Sequence, residues 1–164
     1  MTNSVFFVRV KGPEGMREYA TVLPPEVVST RGLPAEAIVG LLTEARAEGD
    51  DVPAQVFTPN PVFVRFMHDV LATHAARQES FVAEARRVGS GYVYVMDART
   101  ADPAGAVPRE DVIGAVKVEG GVPVPDSYRA NPDHQLLTAR GFFQLGEELH
   151  GCLMRELEAL PRGG

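Results

Sequence analysis

The chain has 164 residues, 45% of them hydrophobic and 23% charged, with a formal net charge of −6 and a single cysteine, Cys152. That length suits one α+β domain over residues 1–160 with a disordered tail at 161–164. It excludes an intramolecular disulfide, gives too few thiolates for a cysteine-built zinc site, and offers no apolar run near the roughly 18–20 residues of a membrane span.

Residues 5–23, VFFVRVKGPEGMREYATVL, read as two strands around the turn Gly12-Pro13-Glu14-Gly15. Residues 29–51 read as a helix. Pro34 suits its first turn, Ile38, Leu41, Leu42 and Ala45 recur at helical spacing, and Gly49 fits a left-handed stop. From Asn60, a cap, and Pro61, an opening residue, the pattern predicts one long helix to Gly89. Phe63, Met67, Val70, His74, Gln78, Phe81, Ala85 and Val88 form its buried stripe. The alternative is a break near Ala75-Ala76.

GYVYVMD at 91–97 alternates Tyr92 and Tyr94 against Val93 and Val95, which is strand periodicity. A loop follows, then a hairpin over 111–125 turning at Glu119-Gly120-Gly121. A last helix is expected from about Ala139 to Leu160, with Gly141, Gly146 and Gly151 at its start or inside it and Pro161 beyond. The expected fold is α+β: an antiparallel sheet of about five strands, in two hairpins plus one strand, packed by three helices. No internal repeat is visible at this level.

Chemistry-bearing residues are sparse. No HExxH, calcium-loop, GxSxG or GxxxxGK pattern occurs, so no metal or cofactor is expected. His68 and His74 lie six apart on different helix faces, and His74 reads as a packed, hydrogen-bonded core residue. On a helix His150 and Cys152 point apart, so Cys152 reads as a small buried hydrophobe. The paired glutamates Glu147-Glu148 and Glu156/Glu158 read as solvated faces.

SYRANPDHQLLTARGFF at 127–143 is the remaining candidate. Asn131-Pro132 repeats the Asn60-Pro61 cap device, and Asp133 suits the positive end of a turn. Tyr128 and Arg129, residue types enriched at interface hot spots, and His134 are left as a binding surface. In an enzyme His134 would be the general base. Asp133 would orient it poorly, and Asp97, Arg99 or Asp111 would lie nearby at strand ends.

Three functions are therefore carried forward. The first is a non-enzymatic cytoplasmic domain that binds another protein, in its most concrete form an acidic immunity-type antagonist of a basic effector. The second is a small hydrolase-like enzyme using His134. The third is a homo-oligomer built on the long helix. Nucleic-acid binding is not expected without clustered Lys and Arg. A membrane partner is not expected either. The cytoplasmic reading rests on the lone cysteine and the lack of an export signal.

Overall fold

A computed structural model describes residues 5–44, 51–99 and 107–161. Strands β1 (Phe6–Gly12) and β2 (Gly15–Thr21) form the expected hairpin, paired from Phe6 opposite Thr21 to Gly12 opposite Gly15. A short helix α1 (Pro25–Arg31) then leads into a 3-10 turn at Ala35–Ala37 and strand β3 (Ile38–Leu42). The helix expected over 29–51 is therefore absent from the described residues; its proposed stop, Gly49, and Ala45 lie outside them. Five apolar residues in a row satisfy helix and strand templates alike. The packing decides, because β3 lies between β2 and β4 (Phe57–Pro59) in a sheet ordered β1-β2-β3-β4.

Asn60 accepts a hydrogen bond from the Val62 N–H and starts α2 (Pro61–His74), as its sequence predicts. The single long helix is not formed. Residues Ala75–Arg77 tighten into a 3-10 turn, Gln78 goes extended, and α3 (Glu79–Val88) starts afresh, ending at Gly89. Of the expected stripe, Phe63, Met67, Val70, Phe81 and Ala85 are buried and His74, Gln78 and Val88 are half-buried, and its straightness is wrong. Phe63, Met67, Val70 and Leu71 pack with β3 and the first sheet's core. Phe81 and Ala85 instead face the second sheet, so the break lets one apolar stripe serve two sheets. Much of that stripe is buried within the single chain.

Strands β5 (Gly91–Met96) and β6 (Val112–Glu119) pair antiparallel. The far side of β6 is shared by β7 (Val122–Pro123) and β8 (Arg129–Ala130). A ribbon, β9 (Leu137–Thr138) with β10 (Gly141–Phe142), crosses back to the first sheet, where the Phe142 ring meets Phe57 edge-on at 5.4 Å. Helix α4 (Glu147–Glu158) closes the chain against α2. The last helix is thus shorter than expected, and its glycines separate by role. Gly141, at φ +101°, makes the tight ribbon turn, Gly146 caps α4, and only Gly151 lies within it. The α+β class and antiparallel pairing agree with the sequence, with two four-stranded sheets in place of one sheet of about five strands.

The two sheets repeat one design, contrary to the expectation of no internal repeat. LPAEAIVGLL (33–42) and VPREDVIGAV (107–116) align, as do FTPNP (57–61) and YRANP (128–132). In each copy a proline starts a 3-10 turn that feeds the central strand. The preceding strand bulges before its last paired residue, at Ala20/Thr21 and at Val95/Met96. The shared asparagine donates twice from its side chain, Asn60 to the carbonyls of Ala35 and Ile38, Asn131 to those of Arg109 and Val112. The stretch between the shared Gly and shared Asn differs in length between copies, which breaks a fixed-period comparison.

Gly40 and Gly114 are the shared glycine, and each lies beneath a ring. A Cβ at Gly114 would sit 2.6 Å from the Tyr128 hydroxyl, and one at Gly40 would strike the Phe57 ring and the Thr58 carbonyl. Side-chain atoms yield more readily than backbone. Gly40→Ala is therefore expected to cost about 2–3 kcal/mol and Gly114→Ala about 1–2 kcal/mol, measured by urea denaturation. Equal, negligible losses would contradict the shared packing.

Candidate functional site

Superposing the two copies by their hydrogen bonds locates a cluster that pairwise motifs miss. The Val22 N–H donates to the Ala37 carbonyl in the first copy, and the Asp97 N–H to the Asp111 carbonyl in the second. Phe57 and Tyr128 are the third residue before the shared Asn, Tyr128 just ahead of β8, and Phe63 and His134 the third residue after it. Four largely apolar positions of one copy, Val22, Ala37, Phe57 and Phe63, are Asp97, Asp111, Tyr128 and His134 in the other. The first copy folds the same strand arrangement without these polar groups.

Arg99 holds the cluster together. Its Nε donates to Asp111 Oδ1 at 3.0 Å. Its Nη1 donates to the carbonyls of Leu136 and Gly141, and its Nη2 to those of Glu110 and Gln135. That uses all five N–H groups of a guanidinium. Its side chain is 3% exposed, and those of Asp97 and Asp111 are fully buried. Asp97 Oδ1 accepts the backbone N–H groups of Arg99 and Gln144, while Oδ2 lies 2.9 Å from His134 Nε2. Arg140 reaches Asp111 Oδ1 from the surface at 2.9 Å. Buried charges of both signs are paired and hydrogen-bonded, as burial requires.

A second pair adjoins the first. His68 on α2 places Nδ1 2.7 Å from the Tyr128 hydroxyl. Burial, reinforced by nearby His134, pushes the His68 imidazole below the usual histidine range, and Asp69 opposes this weakly. Burial raises the Tyr128 phenol above its ordinary value. Burial thus favours the uncharged form of both hydrogen-bonded groups. Burial likewise lowers His150 on α4. The unfolded chain then binds protons at about pH 6.5 that the folded chain refuses. Stability is full above that pH and falls as pH drops through the depressed folded values. His68→Gln is expected to reduce this acid-side loss, read as urea midpoints at about pH 7.5 and pH 5. An unchanged difference would contradict the burial of a neutral His68.

The sequence candidates are divided rather than assembled. Tyr128 and His134 face inward, and Arg129 faces outward, because neighbouring strand residues alternate sides. Asp97, Arg99 and Asp111 do gather around His134. Asp133 lies outside, 3.3 Å from Arg109. Asn131 is bound to local backbone, its Oδ1 accepting the Asp133 N–H. His74 is half-buried where α2 meets α4, with Nε2 3.5 Å from Glu156 Oε1, an ion-pair distance instead of the expected hydrogen bond. Cys152 is buried, and Arg155 donates to its sulfur. Among the described residues, no group of three or more His, Cys, Asp or Glu side chains is arranged to hold a metal ion. No helix among them is long and apolar enough to cross a membrane.

The outer face of the second sheet is the surface that the sequence reading missed. Tyr92 and Tyr94 are 50% and 57% exposed, since Val93 and Val95 take the core side. Cross-strand pairing aligns Tyr94, Ala115 and Arg129 in one row and Tyr92 with Lys117 in the next. Two strand spacings separate Tyr94 from Arg129, roughly 9–10 Å, with only a methyl group between. The same row in the first copy is Tyr19, Leu41 and Thr58, with no cation and a bulky centre. Lys117 pairs with Glu119 at 3.1 Å. The chain matches no protein-family model, no curated protein and no solved structure.

Proposed function

We propose that the protein is a non-enzymatic protein-binding domain whose contact surface is the outer face of the second sheet. One observation carries this reading: an exposed tyrosine and an exposed arginine flank a small residue in a single cross-strand row. Tyr and Arg concentrate binding energy at interfaces, and a guanidinium takes a carboxylate through two parallel bonds. Arg129 favours a partner that presents an acidic segment, although the whole chain is acidic. The net charge of −6 favours a second reading, a basic effector docking elsewhere on the acidic surface. The cytoplasm, which the lone buried Cys152 fits, is the proposed place of action.

The enzyme reading has less support. His134 has the carboxylate partner a general base uses, at Nε2, but its side chain is 3% exposed. A base must reach the proton it removes. Arg99, with every donor engaged, has none left for a substrate.

Partner capture by immobilised protein, followed by titration of the captured partner, tests the proposal. Tyr94→Ala and Arg129→Ala are each expected to weaken the partner by tenfold or more, about 1.4 kcal/mol, with folding stability within about 0.5 kcal/mol of the parent. His134→Gln should leave partner affinity unchanged wherever the variant stays folded. Loss of capture with His134→Gln, and none with Arg129→Ala, would overturn it.

A further inference from the structure

The internal duplication has one unequal member. In the first copy β1 lies along the outer edge of β2 and pairs over all seven of its residues. The equivalent edge in the second copy is the outer side of β5. Among the described residues, β5 pairs only with β6, and it also packs against α3. The position that β1 fills in one copy has no strand in the other among the described residues.

An unpaired edge is a template for another strand, and proteins guard such edges with charge, proline or bulges. The chain's other long edge is guarded: β1 carries Arg9 and Lys11. β5 reads GYVYVM, with no charge and no proline, and its one irregularity lies at the far end, between Val95 and Met96.

We propose that β5 pairs with β5 of a second copy of this chain, antiparallel across a two-fold axis, joining the two second sheets into one. The sequence of β5 is its own complement. With Val93 opposite Val93 of the other copy, Tyr92 meets Tyr94 and Gly91 meets Val95. Aromatic then faces aromatic on the outside and valine faces valine on the inside. No like charges meet along the seam. A two-fold contact of this kind closes on itself and stops at a dimer. It would also set two copies of the Tyr92, Tyr94, Lys117 and Arg129 face side by side. The inference stands on the edge alone, independent of the proposed partner.

Sedimentation equilibrium of the purified chain tests it without any partner. The expected result is a reversible species of twice the chain mass. Tyr92→Lys/Tyr94→Lys, at exposed positions, should give a monomer that still unfolds cooperatively, with a melting temperature that no longer rises with chain concentration. So should Tyr92→Glu/Tyr94→Glu. Mixing the two variants should restore the doubled mass, because opposite charges then face one another across the seam. Tyr92→Thr/Tyr94→Thr, uncharged and strand-compatible, should remain dimeric. A wild-type chain that stays monomeric up to millimolar concentration overturns the proposal. So does a dimer that both charged variants preserve.

Discussion

Arg99→Ala is expected to remove about 3–5 kcal/mol of stability, the range found when one member of a buried ion pair is deleted. The deletion leaves the buried Asp97 and Asp111 carboxylates short of their cation, and it strips four carbonyls of a donor. Arg140 still reaches Asp111, so the damage should centre on Asp97, His134 and the β9–β10 ribbon that Arg99 ties down through Leu136 and Gly141. Against a total of about 5–15 kcal/mol, this is a large fraction. Arg99→Lys should recover little, because an ammonium cannot reproduce the planar five-donor fork. Urea denaturation gives the loss directly. A variant within about 1 kcal/mol of the parent would show that the network adds little to the fold.

Met67→Asp is the other large effect. Met67 is fully buried on α2 between Phe63 and Leu71. An aspartate there would enter the core without a cation, at a cost of at least about 4 kcal/mol, among the largest seen for single changes. Val62→Asp is the control. It lies on the same helix but is 46% exposed and sits in the first turn, where a carboxylate suits the helix dipole, so a change within about 0.5 kcal/mol is expected. Thermal melts of the two variants that coincided would mean that α2 buries a different face.

What the sequence reveals follows from how local each determinant is. Asn60-Pro61, Gly89, the Gly12–Gly15 turn and the Tyr/Val alternation of β5 act within a few residues, and each is legible. The break between α2 and α3 is legible only as the alternative near Ala75-Ala76, where the 3-10 turn forms, because both helices keep the apolar spacing and the reason to bend is the placement of two separate sheets. Strand β3 was hidden for a related cause: IVGLL is buried by neighbours on both sides and carries no alternation. The polar cluster was half legible. Asp97, Arg99 and Asp111 could be placed near His134 from their positions at strand ends, but His68 comes from a helix sixty residues before Tyr128. Tyr128 and Arg129 were grouped by adjacency, whereas a strand sends neighbours to opposite faces. Comparing the two copies residue by residue, with unequal spacing allowed, is the signal that would have exposed both the duplication and the polar substitutions.

Hydrogen exchange with the partner bound distinguishes a second sheet that binds with its outer face, its inner polar cluster serving the fold, from one that binds at the cluster. The partner is expected to slow exchange across residues 91–95, 115–117 and 129–130, and to leave the amides of Asp97, Arg99 and His134 as they are in the free chain. Protection concentrated at Asp97, Arg99 and His134, with the Tyr92–Tyr94 strand unaffected, would contradict outer-face binding and return the site to the imidazole.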